Sequence, residues 1–402
     1  MTAIQLERPL VAALGRGKPG VSSPLPLSVY VHLPWCLRKC PYCDFNSHES
    51  RDRGAVPEAR YIDALQADLE AALPAIWGRS VQTVFIGGGT PSLFSPEAID
   101  RLLAMLRARL ALVPGAEVTM EANPGTFEAE RFRAYAQAGV TRLSIGVQSF
   151  SDDALKALGR VHDSAQARHA IETAAEAFET FNIDLMYALP GQTLDGLRED
   201  LRQALAFEPP HLSCYHLTLE PNTLFARHPP QLPDDDLAAD MQALVDDETG
   251  AAGLHHYEIS AYARDGHACR HNLNYWQFGD YLGLGAGAHG KLSFHDRIVR
   301  EARFRHPRSY MDAATGAGAI ELSRTLDASE LPFEFMLNAL RLHDGVPAAL
   351  FDERTGLSRA TIAGELALAT ERGLLDPDPL RIRATPLGLR FLNDLQAMFL
   401  KA

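Results

Sequence analysis

The sequence predicts an α/β protein built on a parallel sheet, followed by a smaller helical unit. Three observations predict it. Strand-like apolar runs alternate with amphipathic helical stretches from residue 28 to about 255, the pattern of parallel strands joined by right-handed crossovers. Six strand and helix units can be counted there, too few for a closed eight-fold barrel, so a partial barrel and an open doubly wound sheet both fit. From about residue 306 the alternation gives way to helices and a hairpin.

The elements can be justified in order. Residues 1–27 mix a short apolar stretch and Glu7 with Gly, Pro and Ser, and read as a loose lead-in rather than a signal peptide. "SVYVHL" (28–33) reads as the first strand and "EARYIDALQADLEAAL" as the first helix. Then come "VQTVFIG" as a strand, "PEAIDRLLAMLRARL" as a helix, "AEVTMEA" as a strand and "AERFRAYAQAG" as a helix. "TRLSIGV", helices within 151–179, "NIDLMYAL", "LDGLREDLRQAL", "HLSCYHLTLE" and a helix over 234–253 complete the 28–255 core. Residues 256–305 read as a connecting region. In 306–402, "SELPFEFMLNALRL" reads as a helix capped by Ser329, followed by a helix pair, a hairpin in "LLDPDPLRIRATP" and a last helix, the outline of a winged-helix module. Its second helix carries Arg359, Glu365, Glu371 and Arg372, which is not a phosphate-binding face.

Both parallel architectures put function at the C-terminal ends of the strands. The unusual residues sit there. Cys36, Cys40 and Cys43 follow the first strand, "GGGTPS" (87–92) the second, "EANP" (121–124) the third, "GVQSF" (146–150) the fourth and "DLMYALPGQT" (184–193) the fifth. Three thiols are one short of a closed zinc site and one short of an ordinary iron-sulfur set. A distant residue could complete the metal site, the thiols could be buried packing groups, or one metal position could stay open for a reacting ligand. Gly88 and Gly89 would let backbone approach a ligand, with Thr90 and Ser92 as hydrogen-bonding groups. The stretch lacks the lysine of a P-loop and the spacing of a dinucleotide fingerprint. For Glu121, Gln148, Arg160 and Asp184, contact with a ligand competes with a loop-fixing hydrogen bond.

Taken together, these five stretches resemble the radical S-adenosylmethionine superfamily. The resemblance implies a partial (β/α)6 barrel of the TIM type and a [4Fe-4S] cluster on Cys36, Cys40 and Cys43. The iron without a thiolate would be chelated by the amino and carboxylate groups of S-adenosylmethionine, which one electron can split to methionine and a 5′-deoxyadenosyl radical. It also implies that Tyr30 and Tyr42 lie against the cofactor and cluster. Gly88, Gly89, Thr90, Glu121, Gln148, Arg160 and Asp184 match cofactor-contact positions.

Within that superfamily the chain is similar to the oxygen-independent coproporphyrinogen III dehydrogenases and to their relatives, the haem chaperones called HemW. The dehydrogenases usually show a further cysteine where this chain has Phe45, and a longer N-terminal extension. Both departures favour the chaperones and speak against dehydrogenase activity. "HNLNYW" (271–276) matches a stretch associated with haem binding in HemW proteins, which implies roles for His271, Asn272, Tyr275 and Trp276. An imidazole can ligate haem iron while aromatic rings cover the macrocycle. The competing reading is a packed turn beneath "GLGAGAHG" (283–290), and His255, His256, His267 and His289 are alternative ligands. The expected function is therefore haem delivery to an acceptor protein, with oxidative decarboxylation of coproporphyrinogen III as the alternative.

Composition narrows the partners. A formal charge of −13 argues against a general nucleic-acid binder, and 46% apolar residues make an ordinary globular chain. No apolar run approaches the roughly 20 residues that span a bilayer, which leaves only peripheral membrane contact open. Thiols in a metal-site pattern suit the reducing cytoplasm.

Overall fold

The computed structural model describes residues 19–50, 56–125 and 129–400. Six strands run parallel in the order of the chain: β1 (Leu27–Leu33), β2 (Ser80–Gly88), β3 (Ala111–Ala122), β4 (Arg142–Gln148), β5 (Thr180–Tyr187) and β6 (His211–His216). Each hydrogen-bonds to the next. A doubly wound sheet reverses its strand order at a switch point. This sheet does not, so right-handed crossovers leave the helices on one face and the sheet curves into a partial barrel.

The helices between these strands are α1 (Glu58–Ile76), α2 (Pro96–Arg109), α3 (Phe132–Ala138), α4 (Ser164–Ala177), α5 (Leu194–Leu205) and α6 (Asp235–Ala251). Side-chain caps begin several of them: Ser95 accepts from the Ala98 N–H, Asp163 and Gln166 form a reciprocal capping box, and Thr193 accepts from the Gly196 N–H. Strand periodicity then divides the residues. Val29, Val31, Leu33, Val84, Ile86, Leu143, Ile145, Val147, Ile183 and Leu185 point outward and form the main core with the helices. Ser28, Thr83, Arg142, Ser144, Asn182, His211 and Ser213 are buried in the alternate register, so the barrel interior is polar.

Residues 256–305, expected as a connection, instead contribute strands to the same sheet. Strands β7 (His255–Glu258) and β8 (Ala261–Ala263) extend the β6 edge antiparallel. Strand β9 (Asp280–Leu284) pairs parallel with β1 at the other side, and β10 (His289–Ser293), β11 (Ile298–Arg303) and β12 (Ile320–Thr325) continue as an antiparallel meander. The result is a twelve-stranded sheet. Hairpins need no intervening helix, so the alternation that marked the barrel is silent about them.

The described part of the lead-in is not loose. Val21 and Leu25 are buried, the Val21 N–H donates to the Phe294 carbonyl at 2.8 Å, and Arg79 donates to the Leu25 carbonyl at 2.7 Å. Residues 1–18 lie outside the described residues. Beyond β12, helices Leu331–Ala339, Ala349–Thr355 and Ala363–Glu371 enclose a second core with Phe335, Phe351, Ile362 and Leu395. Val346–Pro347 pairs antiparallel with Arg381–Ile382. The first of these helices begins behind Glu330, whose carboxylate accepts from the Asp327 N–H, rather than at a Ser329 cap.

Candidate functional site

The cysteine loop leaves the end of β1 and folds onto "GGGT". The Gly89 N–H donates to the Leu33 carbonyl at 2.8 Å and the Thr90 N–H to the Trp35 carbonyl at 2.7 Å. A Cβ on Gly88 would lie 2.8 Å from the Leu33 oxygen, and one on Gly89 2.5 Å from the Trp35 oxygen. Gly88 also has φ +127°. The glycines are therefore needed for the close approach of the chain's own cysteine loop, whatever they also do toward a ligand. They still line the cavity beside it.

That cavity, of about 410 Å³, is bordered by all three cysteines together with Tyr42, Gly88, Gly89, Thr90, Glu121, Gln148, Arg160, Asp184 and Asn272. Every sequence-predicted cofactor residue except Tyr30 and three of the "HNLNYW" residues reaches it. Burial pushes the Cys36 thiol up to about 11, and the Cys43 thiol is raised for the same reason. Such thiols stay protonated at neutral pH unless a metal takes the proton's place. All three are free of disulfides. Among the described residues no three His, Cys, Asp or Glu side chains converge tightly enough for a single metal ion. Three thiols on one cavity leave a closed zinc site and an ordinary iron-sulfur set each one ligand short.

Arg160 joins this loop to the barrel. Its guanidinium donates to Asn123 Oδ1 at 2.8 Å and to the Gly146 carbonyl at 2.6 Å, and reaches Cys40 Sγ at 3.7 Å. Glu121 Oε2 accepts from the Gly88 N–H at 3.0 Å. Burial, then the neighbouring Asp184, raises its carboxyl to about 8. Burial also raises Asp184, against the opposing hydrogen bonds from Asn182 at 2.7 Å and Ser144 at 3.0 Å. Burial thus favours the neutral acid at both positions in the ligand-free chain, and a nearby positive charge would favour the ionised form. Gln148 (φ +68°) and Ala188 (φ +56°) adopt left-handed backbone at the ends of β4 and β5, turning the chain at the mouth.

A second, larger cavity of about 880 Å³ meets the first at Asp44, Phe45, Gly88 and Glu121. Tyr30 faces this one, with its hydroxyl 2.8 Å from His32 Nδ1. "HNLNYW" is the helix α7 (Arg270–Trp276), not a turn. Its residues divide between the cavities: Asn272 borders the smaller, Tyr275 and Trp276 the larger. His271 borders neither. It is buried, with Nδ1 2.8 Å from Thr83 Oγ1 and Nε2 3.0 Å from the Tyr275 hydroxyl, and burial lowers it to about 3. Both ring nitrogens are engaged inside the chain, the first with the strand residue Thr83 and the second with Tyr275 of the same helix.

Sequence reading missed the barrel lumen. Arg142, Asn182, Ser144, His211 and Ser213 also border the smaller cavity. Their signal was present as polar residues at every second position of strands whose other positions are apolar.

Comparison with known proteins now bears on this arrangement. Residues 30–204 match the model of the radical SAM superfamily and residues 326–391 that of the HemN C-terminal domain. The haem chaperone HemW of Escherichia coli is 49% identical over 377 residues, covering 93% of this chain and 98% of that protein. This chain belongs to the HemW family. The Haemophilus influenzae HemW is 45% identical and the Bacillus subtilis HemW 34% identical, each over 93% of the present chain and at least 98% of its own length. Among solved structures, the coproporphyrinogen III oxidase HemN of Escherichia coli superposes with a TM-score of 0.79 at 23% identity, covering 94% of this chain and 90% of that one. That likeness supports the HemW fold as a radical SAM partial barrel with an appended C-terminal unit.

Proposed function

We propose that this chain is a haem carrier that binds haem and passes it to an acceptor protein, on a radical SAM scaffold holding a [4Fe-4S] cluster and S-adenosylmethionine. The observation that carries the reading is the pair of adjoining cavities. The smaller has three free thiols and two buried carboxyls; the larger has Tyr275, Trp276 and Phe45 with Arg300 and Arg305. Aromatic walls and cations suit a flat, apolar dianion.

Cys36, Cys40 and Cys43 would hold the cluster, and Glu121, Gln148, Arg160 and Asp184 the S-adenosylmethionine. When bound, the pair supplies one-electron cleavage of a carbon-sulfur bond. The protein's part is to hold Arg160 beside Cys40, to keep Glu121 and Asp184 out of water, and to keep the Cys loop seated on Gly88 and Gly89.

Hemin titration of the cluster-loaded protein tests the carrier reading, with a saturable Soret change expected and none if the reading is wrong. Anaerobic assay with coproporphyrinogen III tests the alternative. Phe45, 61% exposed and bordering both cavities, stands where the dehydrogenases usually have a further cysteine. No conversion to protoporphyrinogen IX is expected with excess S-adenosylmethionine and reductant. Sustained turnover would instead promote the dehydrogenase.

The cofactor site has its own pH signature. Below about 8 the Glu121 carboxyl holds a proton in the ligand-free protein, and that proton must leave before a cation can pair with it. Affinity for S-adenosylmethionine should therefore rise from pH 6 to 8 in equilibrium dialysis. Glu121→Gln should bind about tenfold more weakly, roughly 1.4 kcal/mol, with the pH dependence flattened. A flat profile in the wild type would remove Glu121 from this role.

Among the described residues no helix is long and apolar enough to cross a membrane. A cytoplasmic location is part of the proposal, resting on the three reduced thiols.

A further inference from the structure

The larger cavity is bordered by two imidazoles, His32 and His289. They differ in what is left for a metal. His32 has Nδ1 2.8 Å from the Tyr30 hydroxyl and Nε2 2.9 Å from the Asn46 carbonyl, so its ring is fully used. His271 behind the wall is equally used. The His289 side chain makes no hydrogen bond, ion pair or ring contact with any described residue, and it is exposed to the cavity at the start of β10.

The cations of this cavity differ in the same way. Lys291 is committed to Asp280 at 2.9 Å, and Arg300 donates to the Tyr281 hydroxyl and the Glu334 carboxylate. The exposed Arg305 side chain has no hydrogen bond or ion pair. Burial, then Arg300, Arg305 and Arg303, lowers the His289 imidazole, which keeps it neutral and able to donate a lone pair at physiological pH.

The glycine-rich "GLGAGAHG" gives His289 a fixed base. A Cβ on Gly283 would fall 2.0 Å from the His289 carbonyl oxygen, so the β9–β10 hairpin closes only around glycine. Asn46, three residues beyond Cys43, donates to the Ala286 carbonyl at 2.9 Å and to the Arg305 carbonyl at 2.8 Å. The hairpin and the cysteine loop are thereby clamped to each other.

We propose that His289, rather than His271, ligates the iron of bound haem, and that Arg305 pairs with a haem propionate. The proposal rests on the haem-carrier reading and assigns its residues. His271 then acts through Tyr275 as a positioning residue.

The test is hemin titration of cluster-loaded protein, followed by Soret position and by the electron paramagnetic resonance of the ferric iron. Loading the cluster first keeps the cysteines from competing for iron. His289→Ala should weaken binding at least tenfold and displace the Soret band, and added imidazole should restore the wild-type band. His271→Ala should retain the wild-type band position. Arg305→Ala should weaken binding of hemin but not of its dimethyl ester. Far-UV circular dichroism and cluster absorbance should match the wild type in each variant. An unchanged band and affinity in His289→Ala, or loss of the band in His271→Ala alone, would overturn the assignment. Wild-type protein that takes no hemin would overturn the carrier reading itself, and this assignment with it.

Discussion

Alanine at any one of Cys36, Cys40 or Cys43 is expected to abolish stable [4Fe-4S] incorporation on anaerobic reconstitution, while Cys214→Ala and Cys269→Ala retain it. The three loop thiols border one cavity and no fourth cysteine reaches it. Loss of one leaves two irons without a protein ligand, since one is open already. Cys214 sits in the barrel core and Cys269 precedes α7 beneath the barrel, with its sulfur 3.6 Å from Glu117 Oε1. Both are buried, and burial raises both thiols, which suits packing and not ligation. Iron and acid-labile sulfide analysis reads the outcome. Stoichiometric zinc in the reconstituted wild type would sink the cluster assignment.

The second large effect concerns Asp280, at the junction of the barrel and the meander. Its carboxylate is fully buried and accepts from Lys291 Nζ at 2.9 Å and from the Ser293 hydroxyl and N–H at 2.7 and 2.9 Å, with Arg79 at 2.9 Å. Asp280→Ala leaves two cations without their anion, Lys291 in full burial. Breaking such a pair from one side costs about 3–5 kcal/mol, a large share of the stability of most domains. Lys291→Met should cost less, because Arg79 and Ser293 still satisfy the carboxylate. Urea unfolding of the two variants checks the order, and equal losses would mean that the cluster acts through packing alone.

The same group predicts a pH dependence. Burial alone would raise the Asp280 carboxyl, but Lys291 and Arg79 hold it below the usual carboxylate range. A carboxyl whose folded value lies below its unfolded one, about 3.9, contributes stability that is complete above that range. The contribution is lost as pH falls through the lower folded value. Wild-type stability should therefore fall in acid more steeply than that of Asp280→Ala.

Much of the site was legible in the chain. The cysteine spacing, the glycine stretch and the polar residues after successive strands are local patterns, and strand and helix alternation dictates that strand ends share one mouth. The rest was not legible, for reasons that differ from residue to residue. Gly88 and Gly89 look alike whether the neighbour is a ligand or the chain's own carbonyls, and only coordinates distinguish the two. His271 and His289 are both imidazoles in suggestive motifs. What separates them is that Thr83 and Tyr275 occupy the first, from strand and helix, while no side-chain hydrogen bond from the described residues occupies the second.

What the sequence by itself determined was the succession of parallel strands and helices and the three-thiol loop, because these follow from periodicity and local steric rules that act within a few residues. The tertiary structure alone decided that residues 256–305 extend the sheet, that two cavities meet at Phe45 and Glu121, and which histidine keeps a free ring. Those outcomes depend on pairings such as β1 with β9 and Asn46 with Arg305, between segments some 250 residues apart. Burial and hydrogen-bond satisfaction belong to the packed assembly, and no local pattern carries them.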